Sequence, residues 1–306
     1  MRMRRKYFGW VPDARAVDSV CEQLKTPLFG ATPAGTDPAP LPDHAYLWQA
    51  SRKVLGGLIP PRDQGSVGSC VGFGTVAAIE HTLCAEIAAG DPDGFRDLAP
   101  EIVYAGSRVE VGGGRLRGDG SVGAWAADFA RRWGVLERGK HGALDLTTYS
   151  TKVCRQLGVT GVPDALETAC RKHPVEGIAR VDSFEAACRA LAAGYGVSVC
   201  SSQGFLMKRD LQGFCAARGI WNHCMALVGY RATGRAGGFL LNSWGGDAHI
   251  GPTGEGDPSS AGFWAEASVI DRMLRQGDSW AFSRVSGFPR RQIDFQKMQM
   301  TKRRNG

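Results

Sequence analysis

The sequence predicts an α+β fold of two lobes, a helical first half and a second half built mostly of strands. Two observations carry this prediction. From Val71 to Gly90 small and apolar residues dominate, and Ala77, Ala78, Ile79, Leu83, Cys84 and Ile87 recur at helical spacing, the pattern of a buried helix. Beyond residue 176 the apolar runs shorten to strand length: 177–181, 196–200, 223–230, 239–242, 262–265 and 280–285. Helices gathered before strands, rather than alternating with them, are the mark of an α+β chain.

In chain order, residues 1–44 read as a basic N-terminal extension. Gly9-Trp10-Val11-Pro12-Asp13 interrupts it at once, so no signal peptide is expected, and residues 30–43, rich in Gly, Pro, Ala and Asp, read as a linker. Leu98-Ala99-Pro100-Glu101 opens a second helix, with proline at an early helical position and an acid beside it. Gly112 to Ser121 is a glycine-rich loop. No strand precedes it and no Lys-Ser/Thr follows it, which argues against a nucleotide site. The next helix, 124–133, carries Trp125, Phe129 and Trp133 on one face, the stripe of a core helix. Helices are expected over 163–172 and 184–193, the latter started by a capping-box-like Asp182 and Glu185.

At 43% hydrophobic residues the chain can bury a core of one large domain or two lobes. The net charge of +7 belongs to the ends. Residues 1–6 hold four cationic side chains, and residues 290–306 hold six against the single carboxylate of Asp294. Such ends are solvated, or they bind nucleic acid, anionic lipid, or an acidic face in a homo- or hetero-assembly. No run near 18 apolar residues suggests a membrane span. The nine cysteines match no zinc spacing and include no C-x-x-C pair, so no metal or organic cofactor is expected. Cys84, Cys170 and Cys188 sit at apolar helix positions as reduced small hydrophobes, while a bridge among Cys200, Cys215 and Cys224 stays open. A cytoplasmic or virion-associated setting fits this usage better than secretion.

The chemistry concentrates in Pro60 to Phe73, a polar glycine-rich turn that ends in Cys70 at the first turn of the long helix. There a thiol meets unpaired N–H groups and the positive end of the helix dipole, which favours thiolate. Gln64 can turn its amide N–H toward the sulfur and join the Cys70 backbone N–H as an oxyanion hole. His223 begins an apolar strand and supplies a base, and Asn242, ending the next strand, can accept from one imidazole nitrogen and leave the other for Cys70. Trp244 can shield that hydrogen bond from water. His44, His81, His141, His173 and His249 lack such company and read as structural or exposed. His249 lies in a Gly-rich loop near the cleft, where Asp247 and Glu255 read as surface charges.

The segments DQGSVGSC, NHCMALVGY and LLNSWGG, in the order Gln, Cys, His, Asn, resemble the papain-like cysteine peptidases over roughly residues 45–288. The resemblance implies a papain-like two-lobed fold, an antiparallel sheet in the second lobe and an active site between the lobes. It implies Cys70, His223, Asn242 and Gln64 as catalytic residues of an endopeptidase, and Gly68, Ser69, Gly120 and Trp244 as residues along the bound peptide. Residues 289–306 remain as a basic C-terminal tail. Tyr7 to Asp13 resembles the short leader of bacterial and phage members, and such segments often lie in the cleft; a strap packed on the body by Trp10 is the plainer alternative. The chain departs from the family at Val67, where a disulfide cysteine is usual, and at Val71, where an aromatic usually follows the nucleophile. Two rival readings go with these departures and the basic ends: a papain-fold structural or virion protein, and an amidase or transglutaminase-like acyl transferase on the same triad.

Overall fold

The computed structural model describes residues 6–254, 256–258 and 261–300. Glu255 and most of the basic residues of the two ends (Arg2, Arg4, Arg5, Lys302, Arg303 and Arg304) lie outside the described residues. The chain forms α1 (Ala14–Leu24), β1 (His44–Tyr46), α2 (Leu47–Leu55), α3 (Cys70–Ala88), α4 (Pro100–Gly106), α5 (Gly123–Trp133), β2 (Lys140–His141), β3 (Leu144–Asp145), α6 (Thr151–Thr160) and α7 (Asp164–Cys170). The second half adds β4 (Gly177–Arg180), α8 (Phe184–Ala192), β5 (Val197–Arg209), β6 (Cys215–Arg231), β7 (Gly237–Leu241), β8 (Gly262–Glu266), α9 (Ala267–Leu274), β9 (Ser279–Ser283) and α10 (Phe295–Met300). The expected division into helical and sheet halves is the one observed.

The sheet is antiparallel throughout, in the order β4-β9-β5-β6-β7-β8, with β1 added against the far end of β6. Its central strands are longer than their apolar runs. β5 and β6 continue past the core as a ribbon, where Ser201 to Arg209 and Cys215 to Ile220 alternate without a continuous apolar face. Periodicity finds only the buried part of such a hairpin, because the rest is held by ladder hydrogen bonds rather than by burial.

Helix α3 is apolar on every side because every side is covered: α2 and α4 flank it, and β5 and β6 lie across it. Length and hydropathy alone would let it pass for a membrane span, yet 89% of that window is buried inside the protein. Gly74 sets how closely it meets the sheet, since a Cβ there would stand 2.7 Å from the Cys224 sulfur. This contact brings the start of α3 against the strand that carries His223.

Helix α3 also buries charge. Glu80 is fully buried, forms an ion pair with Arg62 and accepts from the Leu98 N–H at 2.8 Å. Burial pushes its carboxyl up to about 7 even with Arg62 beside it. Arg62→Met is therefore expected to cost roughly 3 kcal/mol of stability in urea unfolding, the scale of leaving a buried charge unpaired. The folded-state pKa lies above the unfolded one, so the protonated form favours the fold and stability falls as pH rises. The deficit of the variant should grow as pH rises through about 7, where Glu80 ionises in the parent and resists ionising in the variant; a deficit independent of pH would show that Glu80 is not the group left behind.

The ends pack on the body rather than trailing from it. Asp13 caps α1 by accepting from the Ala16 N–H at 3.0 Å, and Val17 and Val20 are buried as α1 lies against α5. Arg291 pairs with the buried Glu86 at 2.9 Å, and Phe295 is buried. The cap of α8 differs from expectation: Ser183, not Asp182, accepts from the Ala186 N–H, because Ser183 is the residue with extended backbone directly before the first turn. All nine cysteines are free thiols, so Cys200, Cys215 and Cys224 form no bridge, although Cys200 and Cys224 are cross-strand partners.

Candidate active site

Three neighbouring pieces of backbone carry the candidate residues; His223 and Asn242 are hydrogen-bonded, whereas Cys70 and His223 Nδ1 share no hydrogen bond in this closed form. Cys70 is the first residue of α3, His223 lies in β6 opposite Ser201 of β5, and Asn242 directly follows β7, the neighbour of β6. The loop before α3 is stitched to the residues after Asn242. The Gln64 N–H donates to the Ser243 carbonyl at 2.8 Å, and the Ser243 hydroxyl donates to Gln64 Oε1 at 2.6 Å. Gln64 thereby has its oxygen engaged and its amide nitrogen turned toward the cleft.

His223 Nε2 donates to Asn242 Oδ1 at 2.9 Å, and the same oxygen accepts from the Ser243 N–H at 2.7 Å. With a proton on Nε2, the neutral ring keeps its lone pair on Nδ1. That Nδ1 is buried and has no hydrogen-bond partner among the described residues. The Trp244 ring stacks on His223 with centroids 4.5 Å apart and planes 29° apart.

The cleft is filled by the chain's own N-terminal segment. Lys6 Nζ stands over the rings of Trp221 and Trp244. The Tyr7 carbonyl accepts from Gln64 Nε2 at 3.2 Å and from Trp244 Nε1 at 3.3 Å. The Phe8 ring meets His223 and Trp244 edge-on, with centroids at 6.1 and 5.7 Å. Gly9 and Trp10 both donate to the Asn222 carbonyl, at 3.1 and 3.0 Å. The Ser121 N–H donates to the Gly9 carbonyl at 2.7 Å and the Val11 N–H donates to the Ser121 carbonyl at 2.9 Å, a parallel bridge around Trp10. Trp10 anchors the strap: its indole N–H donates to the buried carboxylate of Asp278 at 2.8 Å. Glycine is required at position 9, where a Cβ would stand 1.8 Å from the Gly68 carbonyl oxygen.

Burial sets the electrostatics of this closed cleft. Desolvation pushes the Cys70 thiol well above its ordinary value, with the Cys224 thiol adding to the rise. The N–H groups of Cys224, Gly9 and Val71 pull the other way without prevailing. This reverses the expectation that the start of α3 would favour thiolate: a few N–H dipoles do not offset the removal of water from a sulfur with no exposure. His223 is lowered to about 4, chiefly by burial and against its bond to Asn242. The closed pair is a neutral thiol and a neutral imidazole.

The other candidates divide. Gly68 lies under the strap, where a Cβ would stand 2.5 Å from the Phe8 carbonyl oxygen, and Gly120 lies beside it, 3.0 Å from the Gly9 carbonyl oxygen by the same measure. Trp244 touches the strap directly. Ser69 does not: its hydroxyl lies 3.3 Å from the Tyr149 hydroxyl, beneath the loop. Ser121, Asn222 and Trp221 line the cleft without having been singled out in the sequence. Adjacency to Gly120 and His223 was the available signal. Asp278 escaped, and His249 was placed near the cleft but read as structural or exposed, because each reaches its partners through a loop whose path the local sequence does not specify. His249 is buried, with Nε2 3.1 Å from Asn242 Nδ2 and Nδ1 3.6 Å from the Cys215 sulfur. Among the described residues, no group of three or more His, Cys, Asp or Glu side chains is arranged to hold a metal ion.

Several solved structures are similar. Xylellain, a cysteine protease from Xylella fastidiosa, aligns with a TM-score of 0.62 at 17% identity, covering 93% of this chain and 98% of that one. Procathepsin B S9 from Trypanosoma congolense aligns with a TM-score of 0.59 at 11% identity, covering 90% and 85%. Digestive procathepsin L 3 of the Tenebrio molitor larval midgut gives 0.52 at 16%, covering 87% and 78%. No family model and no curated protein matches the chain in sequence. The likeness is one of fold, carried over nearly the whole of both chains in the first case: this chain has the papain-like fold of the cysteine proteases it resembles, a helical lobe bearing Cys70 against an antiparallel-sheet lobe bearing His223 and Asn242.

Proposed function

We propose that this chain is a thiol-dependent peptide hydrolase, a papain-like cysteine endopeptidase, whose cleft is closed by its own N-terminal segment. The observation that carries the reading is the Nδ1 of His223, without a hydrogen-bond partner among the described residues and oriented by the bond from Nε2 to Asn242, on the strand packed against α3. In the open cleft the Cys70 proton passes to His223 Nδ1 and the sulfur attacks the amide carbonyl. The oxyanion is held by Gln64 Nε2 and the Cys70 backbone N–H. His223 then protonates the leaving amine and activates the water that releases the acyl group. A peptide substrate would lie extended along Ser121 and Asn222, whose backbone groups now hold the strap.

The strap occupies the cleft and directs the Gly9 N–H at the Cys70 sulfur. Its Tyr7 carbonyl takes the Gln64 donor that an oxyanion would need. Two of the similar structures are of proenzymes by name, which fits a closed form.

The test is reaction with a papain-directed epoxide under reducing conditions, read by intact mass and peptide mapping. The full chain should label slowly, and a chain beginning at residue 13 should take up one adduct, on Cys70. No adduct on the shortened, folded chain would overturn the reading. The occupied cleft favours one rival, a papain-fold structural protein whose cleft never opens, and that outcome would support it. Labelling of Cys70 with turnover only of cell-wall peptides would move the reading to an amidase.

A further inference from the structure

The hydrogen bonds around Asn242 do not stop at the triad, and their direction is fixed by chemistry. Asn242 Oδ1 accepts from His223 Nε2 and from the Ser243 N–H, a group that can only donate. Asn242 Nδ2 must therefore be the nitrogen, and it lies 3.1 Å from His249 Nε2. An amide nitrogen has no lone pair to offer, so His249 Nε2 must be the acceptor. The proton of His249 then sits on Nδ1, pointed at the Cys215 sulfur 3.6 Å away. His249 is 1% exposed, its ring lies against Phe263 with centroids 4.4 Å apart, and its carbonyl accepts from Arg209 at 2.9 Å. The ring is closed off from solvent, so its contact with Asn242 is a built one.

We infer that His249 is a positioning residue: by accepting from Asn242 Nδ2 it fixes the amide so that Oδ1 faces His223, which places the His223 proton on Nε2 and leaves Nδ1 free as the base. The inference rests on the reading of Cys70 and His223 as nucleophile and base. The ordered run is Asn242 to His249 to Cys215 on one side and His223 to Asn242 on the other, all donors pointing away from His223 Nδ1 or ending on Asn242 Oδ1. Were His249 a donor at Nε2, the amide would have to turn, Nδ2 would meet His223 Nε2, and the His223 proton would be driven to Nδ1. Burial chiefly, and then the charges of Arg209 and Lys6 and the His223 ring, oppose a positive charge on His249.

The test uses the full chain with nitrogen-15 labelled histidine. The expected spectrum shows His249 protonated at Nδ1 only and a slowly exchanging proton on His223 Nε2. In His249→Leu, which removes the acceptor, exchange of the His223 Nε2 proton should quicken about tenfold and Cys70 alkylation should slow about tenfold across its pH profile, the scale of one lost orienting hydrogen bond. His249→Gln, whose side-chain oxygen can accept in the same place, should restore both to within about twofold. A folded His249→Leu protein with unchanged exchange and alkylation overturns the inference. If that variant does not fold, a wild-type spectrum with His249 protonated at Nε2 overturns it alone. A correct tautomer chain in a protein whose Cys70 never reacts, strap removed, would instead count against the hydrolase reading.

Discussion

Cys70→Ala, made in a chain that begins at residue 13, is expected to bring peptide hydrolysis down to the background, a loss of at least about 10⁴-fold in kcat/KM. The change deletes the one atom that attacks and leaves Gln64, Asn222 and Ser121 in place to bind. Peptide affinity should therefore persist while turnover disappears, a split that a misfolded protein would not show. In the full chain the sulfur is fully buried and packed against Cys224 and Gly9, so there the same substitution leaves a small void and costs about 1 kcal/mol in denaturant unfolding. Starting at residue 13 keeps the Asp13 cap on α1 and removes only the strap. Hydrolysis by the alanine variant above a tenth of the parent rate would mean that another group attacks.

The parts of this site that were legible in the sequence are those where one short segment carries both the chemistry and its placement. Cys70 heads a helix whose apolar residues announce it, and Asn242 directly follows a strand marked by an apolar run, while His223, expected to begin its strand, starts only the apolar part of β6 and lies in the middle of that strand, which runs back to Cys215. Gln64 followed from its distance to Cys70 and from the family resemblance together. Residues that depend on two distant segments meeting were not legible. Trp10 was read as the anchor of a strap packed on the body, but its partner, the carboxylate of Asp278 268 residues away, could not be read from the local sequence. His249 looked like a loop histidine, yet the loop folds back on Asn242. The protonation state of Cys70 was misjudged for a related reason. The local argument counted the helix dipole, whereas the larger effect, loss of water, comes from the strap and the sheet. Likewise α1 and the outer ribbon of β5 and β6 escaped notice because their sequences are polar enough to read as extension and loop, while tertiary contacts fold them.

The strap should open in acid, and the sign follows from His223. In the closed cleft burial holds that imidazole at about 4. With Phe8 and Tyr7 withdrawn, water returns and the group moves toward its ordinary value near ~6.5. Transfer of the Cys70 proton to His223 leaves the count unchanged, but an opened His223 can take a second proton from solvent while Cys70 keeps its own, which the closed cleft does not allow between these two values, so lowering the pH across that window shifts the population toward the open state. From pH 7 to pH 5 the open fraction should rise about tenfold, before any acid unfolding. Epoxide labelling of the full chain would then increase as pH falls, the reverse of what a free thiol does. The chain beginning at residue 13 has no closed state and should not show this rise. Trp10→Ala, which loses the bond to Asp278 and about 5% exposed indole packing, should label faster than the parent at every pH while keeping the acid rise, because His223 is still covered by Phe8 in its closed form. Full-chain labelling that simply climbs with pH would mean that the cleft stays shut and only the buried thiol titrates. His223 would then be a spectator to closure, and the gate would have to be sought in removal of the segment itself.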